Sequence, residues 1–188
     1  KFLIVNGPSL NLLGQREPDI YGSNSMEHCL KMLRQHFPDD EILYYQSNVE
    51  GFLIDRLQQA LTEGIDGVAL NAGAYTHTSI ALHDCIRSLH FPVVEVHLSN
   101  VHRREEFRHH SFISAACKGV IAGFGLNSYR LAIEALKAGE NPIAVSEHSS
   151  SIIIYCITQQ EHWLSVLIHG AEGLSLIHIS EPTRLDVI

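Results

Sequence analysis

The sequence lacks several things whose absence narrows its chemistry. Its 4 cysteines, Cys29, Cys85, Cys117 and Cys156, include no close pair. That excludes a C-x-x-C redox motif or a zinc ribbon and suggests reduced, buried thiols. Positive charge is scarce: 13 Lys and Arg stand against 21 Asp and Glu, a formal net charge of −8. A nucleic-acid binder needs a basic face to neutralise phosphates, so that class is disfavoured. The basic cluster HRREEFRHH (102–110) is interrupted by glutamates, which make it a poor phosphate track. No apolar run approaches the length that spans a bilayer, and no signal-like segment precedes the first one. A cytoplasmic protein without membrane association is the expectation.

Phosphate and metal motifs are also missing. There is no G-x-x-x-x-G-K-[ST], and GFGLNS (123–128) lacks the third glycine of the dinucleotide fingerprint. Its two glycines are better explained by tight turning and close helix packing. The chain has 13 histidines but no H-E-x-x-H, and His109 and His110 are merely adjacent. Surface histidines account for most of that number, and a site without metal or organic cofactor is the preferred reading.

What is present is an ordinary globular composition, 45 % apolar and 18 % charged over 188 residues, enough for one domain with a full core and an appendage. Short apolar runs at 2–5, 41–45, 67–70, 93–98 and 119–124 read as strands. Several are nearly continuous, as parallel strands covered on both faces should be. Between them, 26–37, 52–64 and 78–90 carry apolar residues at helical spacing. In the last of these Ile80, Ala81, Ile86 and Leu89 form the apolar stripe, with Thr76 or Thr78 available as a cap. A further helix spans 128–139 and ends at Gly139. Strands alternating with helices imply an α/β three-layer sandwich around a five-stranded parallel sheet. The flavodoxin-like strand order 2-1-3-4-5 is expected by analogy with small proteins of this kind.

Residues 139–188 break this rhythm and read as an atypical extension outside a core domain at 1–138. An extra hairpin and a partner-contact tail are alternatives to sequence foreign to the domain, which is favoured. Its SIIIYCI run (151–157) would be an aggregation hazard if uncovered.

Ligands of an open parallel sheet bind beyond the carboxyl ends of its strands. Asn6, Ser9 and Asn11 follow the first strand, and Asn71 and AGAYTHTS follow the third. His97, Ser99 and Asn100 end the fourth, with Arg103, Arg104 and Arg108 just beyond. Taken alone, Asn71 reads as a turn residue satisfying local backbone. His97 differs, because it lies within an otherwise apolar strand and shares a face with Glu95 two residues earlier. A histidine held by a carboxylate at the strand end is favoured over a satisfied core histidine. The long segment 7–24 carries Arg16 and Tyr21, and irregular segments of that length tend to be functional or disordered. A tyrosine is a poor base at neutral pH unless a cation stabilises its phenolate, which a guanidinium in a water-poor site would do.

Four stretches together carry a resemblance. NGPSLNLLGQREPDIYG (6–22), NAGAYTHTSIALHD (71–84), EVHLSNVHRREEFRHHS (95–111) and GVIAGFGLNSYRLAIEAL (119–136) closely resemble type II 3-dehydroquinate dehydratase, in order and at that family's spacing, over residues 1 to about 138. The resemblance implies reversible dehydration of 3-dehydroquinate to 3-dehydroshikimate, a shikimate-pathway step, by anti elimination through an enolate. It implies no cofactor, and a dodecamer built from trimers. Tyr21 would remove the proton beside the ketone, Arg16 would hold it as phenolate, and His97, positioned by Glu95, would protonate the departing hydroxyl. The Leu98 backbone and Ser99 would bind the substrate carboxylate. Asn71, His77 and Arg108 would bind the ring hydroxyls and the carboxylate end. Asp84 would reach a neighbouring subunit's site.

One position departs from the family. Where asparagine usually follows Gly-Pro, this chain has Ser9, and losing a donor to the enolate can cost orders of magnitude in rate. Reduced activity is therefore expected. The competing readings are a weakened homologue that only binds a cyclitol-like acid or serves as an oligomeric scaffold, and a flavodoxin-like nucleotide binder, which the missing phosphate motifs disfavour.

Overall fold

The computed structural model of the protein describes residues 1–13 and 25–138, together with two strands at 164–170 and 173–179. Five strands, β1 (Phe2–Asn6), β2 (Ile42–Gln46), β3 (Gly67–Asn71), β4 (Val93–His97) and β5 (Gly119–Ala122), form one parallel sheet. Their order is β2-β1-β3-β4-β5, as expected from the sequence.

Burial follows that order. The three inner strands are buried along their whole length, while most of β2 and all of β5, at the edges, are half-exposed. Successive residues of a strand serve opposite faces. Phe2 and Ile4 pack with helices α1 (Met26–His36) and α4 (Asn127–Lys137), through Cys29, Leu30, Leu33, Ile133 and Leu136. Leu3 and Val5 pack on the other face with α2 (Glu50–Gln59) and α3 (Ile80–Arg87), through Leu53, Leu57, Leu82 and Ile86. Two apolar cores thus sandwich the sheet, which fixes the strand ends rigidly.

Local details differ from the sequence reading. The cap of α3 is Ser79, whose hydroxyl accepts from the Leu82 amide at 2.8 Å, and not Thr76 or Thr78. The buried stripe of α3 is Leu82, Cys85 and Ile86, with Ile80 and Ala81 exposed. At about 3.6 residues per turn Ile80 points away from the face that Leu82, Cys85 and Ile86 share, which leaves it to solvent. Helix α2 begins at Glu50 and ends at Gln59, with a 3-10 turn at Ala60–Thr62 in place of its expected last turn. Strand β4 stops at His97 and β5 at Ala122, both before the expected ends. Cys29 and Cys85 are buried and Cys117 is half-buried. Gly139, Cys156 and the run 151–157 lie outside the described residues.

Strands β6 (Leu164–Gly170) and β7 (Gly173–Ile179) pair antiparallel in a separate two-stranded sheet. Among the described residues, no helix is long and apolar enough to cross a membrane.

Candidate active site

The loops beyond β1 and β3 meet almost backbone to backbone. The Gly7 amide donates to the Asn71 carbonyl at 2.8 Å, and a Cβ on Gly7 would lie 2.4 Å from the Ala72 carbonyl oxygen. Only glycine permits that approach. Beside it opens a cavity of about 250 Å³ whose wall includes Ser9, Asn71, His77, His97, Leu98 and Ser99. Arg104 and Arg108 complete it on the side of the loop after β4. No carboxylate is among the described lining residues; Arg104 and Arg108 share the one Glu105 carboxylate behind them, so a net positive charge remains and an anionic ligand is favoured.

Asn6 and Asn71 occupy matched positions at the ends of β1 and β3. Between them stands the phenol of Tyr129, from α4. It donates to Asn6 Oδ1 at 2.7 Å and accepts from Asn71 Nδ2 at 3.2 Å. Asn71 Oδ1 in turn accepts from the Gly73 amide at 3.2 Å. The turn role read from the sequence is therefore real, and it orients the amide. One N–H and one lone pair of Asn71 remain for a ligand. Burial pushes the Tyr129 hydroxyl well above the usual phenol range, against the lowering effect of the two asparagines, so it stays protonated.

His97 and Glu95 converge as their shared face requires, with Nε2 2.6 Å from Oε1. Glu95 is fully buried, and His97 is nearly so at 8 % exposure. The backbone around them is fixed too: His97 O accepts from Gly123 N at 3.2 Å and from Ser128 Oγ at 3.1 Å, and Leu98 O accepts from Gly125 N at 2.9 Å. Gly123 and Gly125 both have positive φ, so GFGLNS is a turning element.

The His77 ring lies nearly parallel to that of His97, with centroids 6.4 Å apart. Its Nδ1 donates to the His110 carbonyl at 2.7 Å, which leaves Nε2 as the lone-pair nitrogen of the neutral ring. Burial lowers its pKa from the usual histidine value, with the His110 carbonyl opposing and His97 and Arg108 reinforcing the shift. Arg108 lines the cavity while its Nε donates to Glu105 at 2.8 Å.

Of the residues singled out from sequence, Asn71, His77, His97, Leu98, Ser99 and Arg108 share one cavity, with Glu95 directly behind His97. Asp84 does not join them: it is exposed on α3 and absent from the cavity wall. Tyr21 and Arg16 lie outside the described residues. Four residues near the site escape the sequence reading. Arg104 was noted beyond β4 but given no role, although it lines the cavity. Tyr129 read only as part of a strong helix. Ser111 and Ser114, which both bind Glu95, carry no signal beyond a Ser-x-x-Ser spacing.

This is the layout of a small-molecule acid–base enzyme: a rigid α/β sheet, a cationic cavity at its carboxyl edge, and an imidazole backed by a buried carboxylate. The sequence profile of the family Dehydroquinase class II matches residues 1–137, and the chain belongs to that family. It is 56 % identical over 137 residues to 3-dehydroquinate dehydratase from Exiguobacterium, covering 72 % of this chain and 93 % of that protein. It is 49 % identical over 138 residues to a catabolic 3-dehydroquinase from Sclerotinia sclerotiorum, covering 71 % and 90 %. The crystal structure of type II dehydroquinase from Butyrivibrio crossotus superposes with a TM-score of 0.70 at 45 % identity, covering 72 % of this chain and 96 % of that one.

Proposed function

We propose that the protein is a hydro-lyase that reversibly dehydrates 3-dehydroquinate to 3-dehydroshikimate by anti elimination through an enolate. The observation that carries this reading is the His97–Glu95 pair, Nε2 to Oε1 at 2.6 Å, in the wall of a cavity rimmed by Arg104 and Arg108.

In this reading Tyr21, held as phenolate by Arg16, takes the proton from the carbon beside the ketone. The resulting enolate expels the hydroxyl, and His97 delivers a proton so that water departs. His97 Nε2 is engaged with Glu95, so Nδ1 is the nitrogen left for that delivery. The substrate carboxylate is received by the Leu98 backbone and Ser99, with Arg108 nearby. Neutral His77 accepts from a ring hydroxyl through Nε2, and Asn71 offers its remaining N–H. Fixing the ring between these groups removes orientational freedom before the chemical step.

The reading extends to assembly and location. The active form is a cytoplasmic dodecamer of trimers, in which exposed Asp84 reaches a neighbouring subunit's site. Fully active monomers by sizing and assay would contradict this. Residues 1–138 constitute the catalytic domain and 139–188 an extension dispensable for folding. A chain ended at 138 that failed to fold would refute that division.

An ultraviolet assay for the conjugated enone, run with and without chelator, tests the whole proposal. Product formation unaffected by chelator is expected. Silence with retained ligand binding would select the weakened homologue instead, a reading that Ser9 favours.

A further inference from the structure

Glu95 is fully buried, and a charged group in that setting needs its oxygens engaged by donors. Three converge on it. His97 Nε2 meets Oε1 at 2.6 Å. Ser111 Oγ reaches Oε1 at 3.0 Å and Oε2 at 3.2 Å. Ser114 Oγ reaches Oε2 at 2.5 Å, the short separation of an O–H donor on an anionic oxygen.

The direction of the Ser111 bond is forced. Its Oγ already accepts from the amides of Ile113, at 3.2 Å, and Ser114, at 3.0 Å. Those two bonds occupy both lone pairs, so its single proton points at Glu95. Neither serine lines the cavity, and any influence on the reaction passes through the carboxylate.

We propose that Ser111 and Ser114 are positioning residues: their hydroxyls hold Glu95 as an oriented carboxylate, which keeps the His97 proton on Nε2 and presents Nδ1 to the cavity. The consequence is directional. When Nδ1 gives its proton to the departing hydroxyl, the ring becomes neutral with Nε2–H still bonded to Glu95, and no tautomer exchange is needed before the next turnover. Among the described residues, few other groups face this pair. His77 stacks on the His97 ring, Arg104 and Arg108 line the same cavity, and the Cys117 thiol near Glu95 is pushed up by burial and by that carboxylate, so it remains neutral.

The kinetic part rests on the lyase reading, whereas the hydrogen-bonding part does not. The test compares the unaltered chain with Ser111→Ala/Ser114→Ala, Ser114→Ala alone and Ser114→Thr, using steady-state kinetics against pH and nitrogen-15 NMR of the His97 ring. The double variant should lose about tenfold or more in kcat, part of what a positioned general acid contributes. KM should change less than about twofold, because the binding groups are untouched. The alkaline limb of its kcat profile should be displaced, whereas Ser114→Thr, which keeps the hydroxyl, should leave it in place. The NMR spectrum should show Nε2–H alone in the unaltered chain and a tautomer mixture in the double variant.

Unchanged kcat in a folded double variant would overturn the proposal. So would kcat and KM changing together with an unmoved pH profile, the signature of general loosening. If the unaltered chain forms no enone, the lyase reading fails by itself, and the ring spectra still decide the role of the serines. A single tautomer in every variant refutes it.

Discussion

Asn71 and Tyr129, 58 positions apart in sequence, are joined by a buried bond from Nδ2 to the phenol oxygen at 3.2 Å. The same oxygen donates to Asn6 Oδ1, so one hydroxyl ties together the ends of the neighbouring inner strands β1 and β3. Removing it in Tyr129→Phe leaves a donor and an acceptor unpaired in the core. Each orphaned group costs about 1–3 kcal/mol. The melting temperature should fall by several degrees, and kcat/KM should fall as well, because the Asn71 amide loses one of its two anchors. A calorimetric scan beside kinetics checks both, and an unchanged melting temperature would remove the bridging role.

The reach of sequence reading is visible in this triad. Asn6 and Asn71 were placed at strand ends because apolar periodicity locates strands, and strand ends locate ligands. Glu95 and His97 were paired because residues two apart share a strand face. Both inferences need only local rules. Tyr129, Ser111 and Ser114 sit on other elements, and their bonds depend on how α4 and the loop before β5 dock, which no spacing reveals. The stripe of α3, by contrast, was legible and was misassigned. At about 3.6 residues per turn Leu82, Cys85, Ile86 and Leu89 share one face and Ile80 lies opposite it, so the spacing itself carries the buried stripe whichever of Thr76, Thr78 and Ser79 is the cap.

His77 gives a pH signature. With Nδ1 committed to the His110 carbonyl, Nε2 accepts from a ligand only while the ring is neutral. Its pKa lies below the usual histidine value, chiefly through burial, so neutrality persists somewhat below pH ~6.5. KM should be flat through neutral pH and rise only on further acidification. Stability follows the same sign. The unfolded ring takes up a proton more readily than the native one, so stability present above the ordinary histidine value is lost as pH falls through the native one. His77→Asn, which keeps a donor for the His110 carbonyl but no imidazole, should raise KM at all pH values and flatten its acid rise. A KM independent of both pH and this substitution would remove His77 from ligand binding.

Thr76, next in sequence, is fully buried, and its hydroxyl oxygen has no hydrogen-bond partner among the described residues. An orphaned hydroxyl is a standing cost, and valine has nearly the same shape. Thr76→Val should stabilise the fold by about 1 kcal/mol, read as a higher urea midpoint with an unchanged slope. A loss of similar size would mean that the hydroxyl is satisfied by ordered water.

Ser9 combines a backbone cost with a chemical one. Its φ of 66° makes it the only residue other than glycine with positive φ among the described residues. Its amide is held there by Asn48 Oδ1 at 3.0 Å. Asparagine enters that left-handed region more readily than serine, since its amide bonds locally. Ser9→Asn should therefore relieve part of a strain of about 1–2 kcal/mol and raise the melting temperature. The residue also lines the cavity, where the longer amide would bring an N–H within reach of developing enolate charge, so kcat should rise as well. The two readouts separate the causes. Higher stability with unchanged kcat would make the position purely conformational, and higher kcat alone would make it purely electrostatic. No change in either would mean that serine meets both demands as well as asparagine does.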